Sequence, residues 1–128
     1  VVRDRSGGCT DQIVKELDTA HLAAVLQPLL AADAVLCTDG SAALAAAARH
    51  IGVEHHAINA SIGHRSIGPW HINNVNGYHS RLKNWMRKFN GVASSYLHRY
   101  LGWFRALDRF RPTGGLKPGA LLALAVGI

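Results

Sequence analysis

At 128 residues, 48% of them apolar, the chain has the size and composition of one globular domain, which excludes an intrinsically disordered segment. Its net charge is +6, and the balance is uneven along the chain. Residues 1–48 hold three basic groups (Arg3, Arg5, Lys15) against six acids, whereas residues 49–111 hold ten Lys and Arg against only Glu54 and Asp108. A basic half of this strength suits a polyanionic partner such as nucleic acid, although a solvated basic face would have the same composition. Cys9 and Cys37 stand alone with no CxxC spacing, so neither a zinc ribbon nor a disulfide framework is expected, in keeping with a reducing cytoplasm. The apolar tail LLALAVGI falls far short of the ~20 residues that a membrane span requires, so no membrane partner is expected. The opening VVRDRSGG has no signal-peptide character, and its first residue, Val1, hints at sequence further upstream.

In chain order, Val1 to Arg3 reads as a strand that ends in the turn Arg5-Ser6-Gly7-Gly8, with a second strand expected near Gln12–Leu17. Residues 19–31 read as a helix with Leu22, Val25, Leu26, Leu29 and Leu30 on one side and Pro28 as a local disturbance. Ala34–Cys37 is a short apolar strand running into the turn Thr38-Asp39-Gly40. Residues 41–50 are alanine-rich and helical, with Ser41 as cap and Gly52 as terminator. A strand over Glu54–Ile58 and a polar loop over 59–72 follow. Strands alternating with helices give an α/β fold class, with an all-helical C-terminal part.

That helical part consists of two segments. In residues 74–90, with Asn73 or Asn74 as cap, Val75, Tyr78, Leu82, Trp85, Met86 and Phe89 share one arc, while Asn76, His79, Ser80, Lys83 and Arg87 share the opposite one. Residues 94–110 repeat the logic with Tyr96, Leu97, Tyr100, Leu101, Phe104 and Leu107, aromatics read as core rather than as base-stacking groups. Beyond Pro112 the sequence becomes a Gly/Pro-rich linker and a short apolar tail, which divides the chain into 1–111 and 112–128.

Three residues stand out for their chemistry. Asp39 ends an apolar strand, where α/β folds place their sites, though in isolation a turn Asp bonding its own backbone is the preferred reading. Asn76 and Lys83 are seven apart, two helical turns, and point the same way, as any wet helix face would also have it. Five histidines (His55, His56, His64, His71, His79) gather around the loop, but their spacing fits neither HExxH nor a zinc finger. His71 and His79 are expected beside the approach to the Asp39 site.

The segments VVRDRSG, VLCTDG and HINNVNGYHSRLKNWMRKFNGVASSYLHRYLGWFRALDR together resemble the insertion-sequence transposases of the DDE superfamily, more narrowly their ISXO-like branch. The resemblance covers roughly residues 1–111 and implies an RNase H-like fold, a mixed sheet flanked by helices. It implies DNA, both transposon ends and target, as partner, and an assembly such as a homo-oligomer. It also implies two Mg²⁺ ions, with Mn²⁺ as an alternative, that activate water or a 3′-hydroxyl against a phosphodiester; hard cations of this kind prefer oxygen ligands. Asp39 then matches the second acid and Asn76 the third position, both as metal ligands, and Lys83 meets a phosphate. His79, Arg81, Arg87 and Lys88 are implied as DNA contacts. The family's first acid lies on a strand before the hairpin, which is expected to be missing here, since Asp4 and Asp11 fall too late to replace it. The isolated chain is therefore expected to be an inactive part of a catalytic core. The alternatives are a DNA-binding remnant and a helical adaptor without a nucleic-acid role.

Overall fold

A computed structural model describes residues 1–59, 62–63 and 66–114. The chain forms two compact units, residues 12–77 and residues 1–11 with 78 onward.

The unit of residues 12–77 is α/β. Helix α1 (Thr19–Leu26) starts at Asp18, whose carboxylate accepts the His21 N–H at 2.8 Å. It stops where Pro28 forces a single 3₁₀ turn over Gln27–Leu29, five residues short of the expected end. Leu29 consequently leaves the apolar side and is exposed. Strand β3 (Val35–Thr38) leads into helix α2 (Ala42–Ile51), which ends at Gly52 with φ +85°, a left-handed turn that glycine adopts without strain. The chain returns as β4 (Glu54–Ala57), parallel to β3 with Val35 opposite Glu54 and Thr38 opposite Ala57. This is a β–α–β unit. Helix α2 packs on α1 through Ala47 and Ala48, both fully buried, whose missing bulk lets the two helices approach. Ala23, Leu26, Ile58 and Ile72 complete the buried apolar set among the described residues of this unit.

The expected loop over 59–72 contains a hairpin instead: β5 (Ser66–Ile67) pairs with β6 (Trp70–His71) across Gly68-Pro69. Gly68 has φ +57°, and a glycine at the first central position of a two-residue turn is what a type II′ hairpin requires. Two-residue strands carry too little alternation to be seen in a sequence.

In the other unit, β1 (Val2–Arg3) pairs with β2 (Cys9–Thr10), so the second strand of the first hairpin comes earlier than Gln12–Leu17. The Asp4 carboxylate causes this. It accepts the Gly8 N–H at 2.7 Å and the Ser6 hydroxyl at 2.8 Å, closing the turn at once. Those bonds also hold its pKa below the ordinary carboxylate range.

Helix α3 (Asn73–Met86) continues as a 3₁₀ turn over Arg87–Phe89, and α4 spans Ser94–Phe110, the range expected. Asn73 and Asn74 lie inside α3 rather than capping it. Asn90, with φ +50°, ends the turn in a left-handed conformation that Asn tolerates better than most residues. Among the described residues the strands make three two-stranded sheets, so the architecture is mixed α/β with four helices.

Around α4 two kinds of packing meet. Tyr78 and Phe104 are buried edge to face with ring centroids 5.2 Å apart. Beside them Asp108, with 4% of its side chain exposed, accepts Arg81 Nε at 2.6 Å and Nη2 at 3.1 Å, and Arg3 Nη1 at 3.3 Å. Arg111 adds a longer contact at 3.5 Å.

Candidate functional site

Asp39 immediately follows β3 and is exposed. The backbone turns there because Gly40 adopts φ +88°. Two groups fix this turn. Asp39 Oδ1 accepts the Ser41 N–H at 3.1 Å, and the buried Thr38 hydroxyl accepts the Gly40 N–H at 3.2 Å. Ser41 precedes α2, but its hydroxyl makes no cap bond, contrary to expectation. The turn reading of Asp39 is thus realised at one carboxylate oxygen, a role that leaves the group in solvent.

Thr38 Oγ1 also lies 2.7 Å from His55 Nε2 on the neighbouring strand. Burial, followed by the nearby His56 and Arg49, lowers the His55 pKa and favours the neutral ring. A neutral His55 can accept the Thr38 proton at Nε2, which frees the hydroxyl oxygen to receive Gly40. His56 stacks on Trp70 at 4.8 Å and donates to Glu54 at 2.7 Å. His71 Nδ1 sits a loose 3.4 Å from the Asn73 N–H at the start of α3. His64 lies outside the described residues. The histidines near the loop therefore hold turns, strands and a helix start, and among the described residues they form no ligand cluster.

On α3, Asn76 and Lys83 are both exposed and fall on one side, about 10 Å apart along the axis. Among the described residues no hydrogen bond or ion pair joins Asp39 to Asn76. His79 is half-buried, while Arg87 and Lys88 are exposed on the 3₁₀ turn, where Arg87 donates to Asn84 Oδ1 at 3.1 Å. Arg81 differs from these. Its bidentate bond to Asp108 raises its own pKa and lowers that of Asp108, so the guanidinium is already committed inside the protein.

Two features escaped the sequence reading. One is Asp108, whose signal was its isolation: no Asp or Glu occurs between Glu54 and Asp108, so a carboxylate there is surrounded by cations. The other is the group Glu16, Asp18 and His21, whose potential ligand atoms lie within 4.8 Å of one another. Asp18 caps α1 and accepts His21 Nδ1 at 2.7 Å, so helix capping accounts for the closeness. A shallow depression of about 320 Å³ lined by Gln27, Leu30, Ile51 and Val53 contains no titratable side chain.

No helix among the described residues is long and apolar enough to cross a membrane. Neither the curated proteins nor the solved structures provide a match for the chain. A family model does: the ISXO2-like transposase domain matches residues 1–105, most of the chain, and the chain belongs to that family of insertion-sequence transposases.

Proposed function

We propose that residues 1–111 are the C-terminal part of an RNase H-like catalytic core for DNA cleavage and strand transfer, with residues 112–128 as linker and tail. The observation that carries this reading is the position of Asp39, exposed directly past the end of β3 in a parallel β–α–β unit. In α/β folds such strand ends are where ligands bind. Of that tail, residues 115–128 lie outside the described residues.

In this reading Asp39 and Asn76 hold divalent metal, Mg²⁺ by preference and Mn²⁺ as an alternative. The donor chemistry fits a hard cation, because both offer oxygen, one as an anion and one as a neutral amide. In a complete core, two such ions would activate an oxygen nucleophile and stabilise the charge of the leaving group. The protein's own part is positioning. Thr38, His55 and Gly40 hold the turn that presents Asp39, and Lys83 offers a point charge to a phosphate. Arg87, Lys88 and His79 contact the DNA backbone, and Arg81 contributes only the charge left over from Asp108. The partners are transposon ends and target DNA, bound by a homo-oligomer.

Mn²⁺ titration followed by electron paramagnetic resonance tests the metal positions. Asp39→Ala should abolish specific uptake, and Asn76→Ala should weaken it less, since a neutral ligand contributes less. Uptake unchanged in Asp39→Ala would falsify the assignment. The same preparation should bind DNA in EDTA yet release no cleaved product with Mg²⁺, because one carboxylate and one amide are too few to hold two ions. Mg²⁺-dependent strand transfer by the isolated 128 residues would overturn that expectation. A DNA-binding remnant without catalysis is the second reading, favoured by the neutral Asn76. It predicts no specific Mn²⁺ uptake at all.

A further inference from the structure

Two aromatics of α4 face solvent: Tyr96, which its spacing assigns to the core, is 54% exposed, and Trp103 is 51% exposed. A lone exposed aromatic needs no account. These belong to a contiguous group, however. Trp103 packs on Trp85 with centroids 5.0 Å apart and rings perpendicular, on Phe89 at 5.8 Å and on Tyr100 at 6.1 Å. Trp85 and Phe89 in turn meet at 4.7 Å. Tyr96, Tyr100 and Trp103 are spaced four and three residues apart, so they share one stripe of α4. Arg99 lies between them in sequence, with its guanidinium 5.9 Å from the Tyr96 ring centre.

We propose that this stripe is a stacking platform for unpaired DNA bases. The proposal rests on the transposase reading, which supplies DNA as the partner, and adds to it the form of DNA recognised. Two arguments select the occupant. First, the segments that carry these rings bear charge of one sign: Arg99 is exposed with its guanidinium near Tyr96, Arg87 and Lys88 next to Phe89 in sequence are exposed, and no acid occurs between Glu54 and Asp108. A second copy docking here through a two-fold contact would set these cations against their own equivalents, whereas a nucleic acid brings phosphates to them. Second, aromatic side chains gain from the flat faces of bases, and those faces are available only where bases are unstacked from a duplex. The perpendicular Trp85 ring and the Phe89 ring brace Trp103, so little side-chain freedom is lost on stacking.

The test compares DNA ligands on the whole chain by fluorescence anisotropy: an oligothymidylate of about 12 nucleotides, an abasic strand of the same length, and a duplex. The abasic strand keeps every phosphate and lacks only the bases. The oligothymidylate should bind roughly tenfold or more tightly than the abasic strand. Trp103→Ala and Tyr96→Ala should each reduce that ratio, and Trp103→Phe should retain most of it. The dependence of binding on salt should stay as it was, because the phosphate contacts are unaltered. Tyr96 has little to lose in folding, so its variant keeps the test informative if Trp103→Ala is poorly folded. Equal affinity for the thymidylate and abasic strands overturns the platform, as does an undiminished ratio in both alanine variants. Sedimentation showing a dimer that Trp103→Ala splits, with no preference for bases, overturns it in favour of a second copy. If the duplex and abasic strands bind equally to the oligothymidylate, only the platform fails. If no DNA binds even at low salt, the DNA reading fails with it.

Discussion

The two compact units have different cores. Residues 12–77 pack through small aliphatic groups, Ala23, Ala47 and Ala48 with Leu26 and Ile58, around a parallel strand pair. In residues 1–11 and 78–114, aromatic rings and a carboxylate gripped by arginines replace them: Tyr78, Phe104 and the Trp85 group beside Asp108. Candidate chemistry divides in the same way. The unit with most of the acids carries Asp39 and Asn76, the oxygen donors for metal, whereas Lys83, Arg87 and Lys88 are carried by the unit rich in cations. A helix surface dense in Lys and Arg repels itself unless part of that charge is neutralised. A single buried carboxylate that engages Arg3, Arg81 and Arg111 does this at small cost in sequence. The lesson is that basic residues counted from composition are not equally available to DNA, since some of them build the fold.

Replacing Asp108 is the strongest way to break this contrast. Asp108→Ala leaves Arg81 and Arg3 facing each other without their counter-charge, and breaking a buried pair of this kind costs roughly 3 kcal/mol. Urea unfolding should show the loss, and hydrogen exchange should place it in residues 78–110. Protection lost evenly over both units would mean that they are not separate in energy. Arg81→Lys should recover little, because a point charge cannot make the bidentate contact.

A smaller effect is expected in the other unit from Gly40→Ala. The new Cβ would meet Ala57 Cβ at an ordinary 3.6 Å, so the cost comes from φ +88°. A side chain in that left-handed region costs about 1 kcal/mol. The same measurement should find residues 35–57 affected and α4 untouched. Specific Mn²⁺ uptake should weaken with it if the turn presents Asp39 to metal.

The smallest effect sharpens the comparison through pH. His55 has a lowered pKa, so the unfolded chain takes up a proton at this position before the folded one does. Stability from this group is complete above the ordinary histidine value of about 6.5 and declines as the pH falls below it. Asp108 is also lowered, but as an acid, with Arg81 as the principal cause. Its contribution persists down to the carboxylate range near 4 and is lost only below that. Acidification should therefore weaken residues 35–57 first and residues 78–110 later. His55→Gln should remove the first step. A single transition in both units at one pH would count against this order.

Much of this molecule is determined by its sequence alone. Helix α4 begins and ends where its periodicity says, and α2 stops at Gly52, because local spacing and a glycine decide such things without distant help. The buried arc of α3 is equally local, with Tyr78 inside and Asn76, Ser80, Lys83 and Arg87 in solvent. Family membership too is legible, because it rests on motifs and their spacing. Tertiary structure decided the rest. No pattern links Arg81 to Asp108, 27 residues away, or Thr38 to His55, since such pairs form only when separate elements meet. Tyr96 occupies a helical position that looks like core yet is exposed, because a helix has core only where something packs on it. Asp39 shows both sides: its place after an apolar strand could be read in the chain, whereas the turn that holds it needed Thr38 buried and His55 alongside.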